Sequence, residues 1–385
     1  MYNFDEINDR RNTNSYKWNI KEGELPMWVA DMDFRTAPAI IEFLERKVGE
    51  GIFGYQDIPD AWNEAYQNWW KTRHHLDVER DSLIFCTGVV PAISSAVRKL
   101  TTPAEKVIVL TPVYNIFFNS IYNNGRNVVE CPLKYANGSY DIDFEDFENK
   151  LSDPQVTLLI FCNPHNPVGK IWDRKTLARV GELCDKHHVL VISDEIHCDL
   201  TDPGTEYVPY ASVSETCRMQ SVTCIAPTKC FNLAGIQTAA VMVPNPVLRH
   251  RIWRALNTDE VAEPNAFAIG AAIAAFTKGG EWLDELREYL YRNKELVREF
   301  IERELPELKL ISSQATYLLW FDCSAYSYDS VELCRQIREK TGLYLSNGAQ
   351  YGQSGRSFFR MNIACPRTMV LDGLERLRRA LMMNS

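Results

Sequence analysis

Residues 221–243 read SVTCI-APTKCFNLAGIQ-TAAVMV, two apolar runs flanking a loop that holds a single lysine, Lys229. The runs Ser221–Ile225 and Thr238–Val243 have the length and β-branched content of buried strands. Lysine is among the residues least often buried, and burial lowers its pKa and frees the amine as a nucleophile. The bland reading is a surface-loop lysine whose amine snorkels to water. The rest of the chain decides between the two.

Working outward, the same texture repeats. SLIFCTG (82–88), KVIVL (106–110), VTLLIF (156–161) and VLVIS (189–193) are strand candidates. Helical stretches separate them. PAISSAVRKL follows the first, with Pro91 suited to a first helical turn, and RKTLARVGELCDKH sets Leu177, Val180, Leu183 and Cys184 on one face. Continuous Val/Ile/Leu strands alternating with helices predict an α/β fold with a mostly parallel sheet covered on both faces. Near residue 281 the pattern changes to a long charged helix, EWLDELREYLYRNKELVREFIEREL. A strand (317–321), a helix (330–340), the strand SFFRMNIA (357–364) and a terminal helix ending LRRALMM follow, which reads as a smaller α+β domain.

Composition narrows the function classes. A chain of 385 residues exceeds one usual core, so two domains are expected. A net charge of −9 without a basic stripe argues against a nucleic-acid partner. The N-terminus has no apolar leader, and the longest apolar run, AFAIGAAIAAF (266–276), is too short to span a bilayer and reads as a core helix. Eleven cysteines without framework spacing suggest reduced thiols and a cytoplasmic setting. His74-His75 and His187-His188 are adjacent rather than at i, i+4, so no metal site is expected.

Ligands of open α/β sheets bind beyond the carboxyl ends of the strands. Five such ends carry unusual chemistry. Gly88-Val89-Val90-Pro91 enters a helix, where free amides and the helix dipole suit a phosphate, though glycine before a helix is also ordinary punctuation. Thr111-Pro112-Val113-Tyr114 could set a ring over the site or merely pack. Asn163-Pro164-His165-Asn166-Pro167-Val168-Gly169 is a sufficient structural turn, yet the Asn166 amide could donate to a ligand oxygen. Asp194-Glu195 at a buried strand end could bind a metal, cap a helix or pair with a cation, and a carboxylate there needs a positive partner to stay ionised. The fifth end is Lys229. An ionised Asp194 with a nucleophilic Lys229 suits a cofactor bearing a cationic ring nitrogen and an aldehyde, namely pyridoxal 5'-phosphate.

The order NP-x-NP-x-G, D-E, T-K and R-x-N resembles the fold-type I, class I/II aminotransferase superfamily of pyridoxal-phosphate enzymes. More narrowly, WVADMDF (28–34), GYQ (54–56), TGVVPAI (87–93), TPVY, DEIHCDL and TKCFNLAGIQ resemble the MalY/PatB group of C–S lyases, its cystathionine β-lyases. The resemblance implies a large cofactor-binding domain over 49–283. It also implies a smaller α+β domain made of an N-terminal segment, 1–48, and residues 284–385. Lys229 would hold the cofactor covalently and then take the substrate Cα proton. Asp194 would keep the ring nitrogen protonated, Asn166 would donate to the ring oxygen with His197 near the same edge, and Tyr114 would stack on the ring. Gly88, Val89, Val90 and Thr228 would bind the phosphate. Tyr55 would reach the phosphate site, and with it the bound substrate, of a neighbouring subunit in a homodimer. Arg360 would clamp the carboxylate of a small amino-acid substrate beside the backbone of Ala30.

Three departures from ordinary aminotransferases or from the lyase group stand out. His197 replaces the tyrosine usual three residues after the aspartate, Gln237 replaces an arginine eight residues after the lysine, and Asn115 stands where the lyase group often has a second aromatic. The first two favour β-elimination from cystathionine or another L-cysteine S-conjugate. An amino-acid aminotransferase and a regulatory protein that keeps the cofactor fold are the alternative readings.

Overall fold

The computed structural model describes residues 2–382, so Met383, the last residue of LRRALMM, lies outside the described residues. The apolar runs form strands β1 (Leu83–Cys86), β2 (Lys106–Thr111), β3 (Asn127–Pro132), β4 (Val156–Cys162), β5 (Leu190–Asp194), β6 (Ser221–Ile225) and β7 (Ala239–Met242). Among the described residues they make one seven-stranded sheet in the order β1-β7-β6-β5-β4-β2-β3. β7 alone runs antiparallel to its neighbours, β1 and β6. The other pairings are parallel. Six strands therefore point one way and deliver their carboxyl ends to a single edge. The reversal at β7 places the whole 226–238 loop, and Lys229 with it, on that same edge.

Strand alternation supplies both faces of the core. Val107 and Val109 of β2 pack with Ile160, Ile192 and Val222 beneath helices α1 (Val89–Leu100) and α3 (Pro246–Thr258). Ile108 and Leu110 face the other way, onto Leu159, Phe161 and Val191 and the Leu177, Val180 and Leu183 stripe of α2 (Arg174–Lys186). Each such side chain contributes about 1.5–3 kcal/mol by leaving water. β3 carries no continuous apolar run, being an edge strand with a mostly half-buried sequence, NVVECP, and the sequence reading did not find it.

AFAIGAAIAAF leads into α4 (Ala268–Lys278), seven of whose residues are buried. The charged stretch forms α5 (Gly280–Glu304), which leads into a four-stranded antiparallel sheet of β8 (Lys309–Leu310), β9 (Leu318–Asp322), β10 (Ser346–Asn347) and β11 (Phe358–Asn362), ordered β8-β9-β11-β10. Helices α6 (Ser330–Thr341) and α7 (Arg367–Met382) cover it. Leu25–Pro26 pairs in parallel with Leu343–Tyr344, which joins the N-terminal segment to this C-terminal part. All eleven cysteines are buried and unpaired. Among the described residues no helix is long and apolar enough to cross a membrane.

Candidate active site

Asp194 ends β5 in register with Cys162 of β4 and Cys224 of β6. Its carboxyl is buried, accepts from the Ile196 amide at 3.2 Å and is in no ion pair among the described residues. Burial pushes its pKa up to about 7, against the lowering effects of that amide and of Lys229. Lys229 is partly exposed, as an amine that must meet a ligand requires, and its Nζ donates to the Ala30 carbonyl at 2.7 Å. Burial and the Arg360 guanidinium bring its pKa down to about 8. In cofactor-free protein, acylation of this amine is therefore expected to rise through a midpoint near pH 8. A midpoint at the pKa of a free lysine, read by peptide mass mapping across pH, would contradict the burial argument.

Arg360 sits mid-strand in β11, buried, between Trp320 of β9 and Ser346 of β10. Its Nη1 donates to Asn166 Oδ1 at 3.1 Å and its Nη2 to the Trp28 carbonyl at 3.0 Å, while Nε has no partner among the described residues. The Asn166 oxygen is spent on Arg360, so its NH2 is the end left to donate. The NPHNPVG turn that presents Asn166 closes on itself, with the Gly169 amide donating to the His165 carbonyl at 2.7 Å. Gly169 is required there: its φ is +68°, and a Cβ would meet Ser313 Oγ at 2.2 Å. His197 is buried, and its Nδ1 has no partner among the described residues. Burial, with Lys229 and Arg360 nearby, drives its pKa down to about 3, so the imidazole is neutral.

The N-terminus of α1 closes the site at another strand end. Asp173 and Asn245 cap α2 and α3 with side-chain hydrogen bonds, whereas α1 starts after Gly88 with no side-chain cap. Its first amides, from Val89 and Val90 onward, are left for an anion. Gly88 itself is extended, at φ 176°, so its value lies in bulk rather than in a left-handed turn: a Cβ would sit 3.2 Å from Pro91 Cδ. Thr228 is buried beside Lys229. The Tyr114 hydroxyl is pushed up to about 12, by burial first and by Asp194 among other groups, so it stays a neutral phenol. Gln237 is exposed in a left-handed conformation at the loop's far end, and Asn115 reaches Gln350 at 3.5 Å. Tyr55 is not brought to this edge: its side chain is 99 % exposed on the single chain.

Tyr317 was missed by the sequence reading. It is fully buried, donates to the same Ala30 carbonyl at 3.1 Å, and its ring lies 6.4 Å from that of His197. A tyrosine opening an apolar strand has no local signal that separates it from core.

These groups fit pyridoxal phosphate. A buried acid without a cation faces the place of a cationic nitrogen, an uncapped helix end that of a phosphate, and a lysine with a lowered pKa that of an aldehyde. The orphaned Nδ1 of His197 and Nε of Arg360 are buried polar atoms whose desolvation a ligand would offset.

The family model for class I and II aminotransferases matches residues 25–377. The chain is 44% identical to cystathionine beta-lyase PatB of Bacillus subtilis (strain 168), over 98% of this chain and 100% of that one. It is 31% identical to protein MalY of Escherichia coli (strain K12), over 99% of each. Among solved structures it is similar to cystalysin from Treponema denticola, which contains a pyridoxal 5'-phosphate cofactor, with a TM-score of 0.97, 32% identity and 100% of both chains covered. A match of that extent means that the chain belongs to the class I and II aminotransferase family.

Proposed function

We propose that this chain is a pyridoxal-phosphate-dependent C–S lyase. It performs β-elimination on cystathionine or related L-cysteine S-conjugates to give a thiol, pyruvate and ammonia, the thiol from cystathionine being homocysteine. The observation that carries the reading is that Lys229 has both Asp194 and the Arg360 guanidinium of β11 close enough to act on its charge, with the amine 2.7 Å from the Ala30 carbonyl and the guanidinium 3.0 Å from that of Trp28. The lyases among its relatives support the choice of reaction.

The cofactor supplies an electron sink for negative charge at the substrate Cα. Lys229 would hold it and, as a neutral amine, would take the substrate Cα proton. Asp194 would hold a proton on the ring nitrogen, and the Asn166 NH2 would donate to the ring oxygen. Tyr114 would pack against the ring, while His197, neutral, would sit beside Asn166 without adding charge. The amides of Gly88, Val89 and Val90, with the Thr228 hydroxyl, would hold the phosphate. Arg360 forks onto the α-carboxylate next to Ala30. Overall the Cα–H and Cβ–S bonds break, the proton taken up by Lys229 leaves on the sulfur as the thiol, and a Cα–Cβ double bond remains. The released enamine tautomerises, and water converts the resulting imine to pyruvate and ammonia.

In this reading residues 49–283 are the cofactor-binding domain, and residues 1–48 and 284–385 form the smaller one. Two copies associate so that Tyr55, exposed in a single chain, enters the phosphate seat of the second copy. The unpaired thiols support a cytoplasmic setting.

The test is product formation. Purified enzyme with cystathionine and no keto acid is expected to release pyruvate and homocysteine in equal amounts. Turnover that required 2-oxoglutarate and yielded glutamate would establish an aminotransferase instead. Arg360→Ala is expected to raise KM about 100-fold, the loss of one charge-assisted fork of about 3 kcal/mol, with the smaller effect on kcat. An unchanged KM would remove Arg360 from carboxylate recognition.

A further inference from the structure

Residues 28–34, WVADMDF, belong to no helix or strand, yet their carbonyls are held by side chains from distant parts of the chain. Two asparagines do most of this. Asn362 lies two residues after Arg360 on β11, so both side chains leave the same face of the strand. Its Nδ2 donates to the Val29 carbonyl at 2.5 Å and to that of Asp31 at 2.7 Å, while its Oδ1 accepts from the Ala364 amide at 2.7 Å. Asn232, three residues after Lys229, works from the opposite side. Its Nδ2 donates to the Met32 and Phe34 carbonyls, each at 3.0 Å, and its Oδ1 accepts from the Met32 amide at 3.0 Å. Behind the segment, buried Lys17 and Asp33 pair at 2.7 Å, and Arg10 bridges Asp31 at 2.9 Å and Asp33 at 2.8 Å.

The segment so clasped touches both ends of the proposed chemistry. Trp28 offers its carbonyl to the Arg360 guanidinium and Ala30, two residues on, offers its own to the Lys229 amine. An α-amino acid presents a carboxylate and an amine on one carbon, so the separation of these two protein groups matters to it and not to a ligand with only one of the two. Resting on the reading above, we propose that residues 28–34 act as a spacer that fixes the carboxylate clamp and the catalytic amine at one separation, and that Asn232 and Asn362 are the positioning residues that hold it. Neither asparagine touches the substrate in this scheme. Their amide hydrogens act through the strap. The R-x-N pattern of β11 thereby acquires a use for its second member.

The experiment uses holoenzyme carrying Asn362→Asp or Asn232→Asp. Each change keeps shape and acceptor and removes the two donations, and aspartate tolerates the left-handed backbone of Asn232, at φ 56°. Asn362→Ala controls for the added charge. The reporters are kcat/KM for S-ethyl-L-cysteine against its α-carboxamide, equilibrium binding of both compounds read by cofactor absorbance, and hydrogen exchange of the peptide spanning 27–36. The expected result is faster exchange in that peptide and an acid-over-amide preference reduced about tenfold or more, since misplacement by about an ångström can cost about 100-fold. Equal losses for acid and amide would reduce the asparagines to general structural support and overturn the proposal. An unaltered preference, or unaltered exchange, would overturn it as well. If the unmodified enzyme turned over neither compound, the lyase reading would fall, while exchange and the binding preference would still decide the spacer.

Discussion

Lys229→Ala is expected to reduce kcat by about four orders of magnitude or more and to abolish the visible absorbance of lysine-held cofactor, while the protein stays folded. Both losses follow from one atom. In the proposed mechanism the Lys229 amine is both the group that would fix the cofactor and the base that would move the Cα proton. Lys17, Lys170 and Lys294 are committed to Asp33, Asp141 and Asp202. Retention of the fold is expected because the side chain makes a single hydrogen bond, to Ala30, and Tyr317 still occupies that carbonyl. An exogenous small amine is expected to restore part of the rate. Full activity in the alanine variant, or an unchanged absorbance band, would remove Lys229 from the mechanism.

Asp194→Asn is expected to lower kcat about 1000-fold, the scale of losing a preorganised electrostatic partner in a site sheltered from water. The variant keeps the shape and the bond from Ile196 but cannot hold a proton on a ring nitrogen. The same residue sets a pH signature. In the cofactor-free protein its pKa stands near 7, above the ordinary 3.8, because burial disfavours the ion. The folded state then binds more protons than the unfolded state between those values. Stability from this group is full at low pH and declines as pH rises through the window. A cationic ring beside the carboxylate reverses that decline. The increase in Tm on adding pyridoxal phosphate is therefore expected to be larger at pH 8 than at pH 5.5, and Asp194→Asn is expected to flatten the difference. Thermal unfolding at the two pH values, with and without cofactor, checks it; an identical increment in both proteins would contradict the ion-pair account.

Local pattern made much of this site legible. A β-branched run is apolar on both faces only where a sheet is covered on both, so β2, β4, β5 and β6 are found within a residue or two of their ends. The residues that follow them are polar for a reason visible in their types: an acid, an amide, a lysine and an uncapped helix start. Edge strand β3 escaped because half its side chains meet water and dilute the apolar run. Tyr317 escaped, and Asn362 was met only as the last letter of R-x-N with no role, because a buried tyrosine or asparagine looks the same in sequence whether it serves packing or a site.

By itself, then, the sequence determined the buried strands, the helices between them and the chemical identity of their ends, since all of these are properties of neighbours along the chain. The tertiary structure decided which groups meet. Ala30 and Lys229 are 199 residues apart and Asn166 and Arg360 are 194 apart, yet each pair shares a hydrogen bond. The antiparallel turn at β7, which carries the lysine loop to the site edge, is likewise set by pairing with β1 across more than 150 residues. The acceptors at Trp28 and Ala30 are backbone carbonyls, which every residue possesses. No side-chain pattern marks them, and only the packing of the two sheets around the N-terminal strap turns them into partners of an arginine and a lysine.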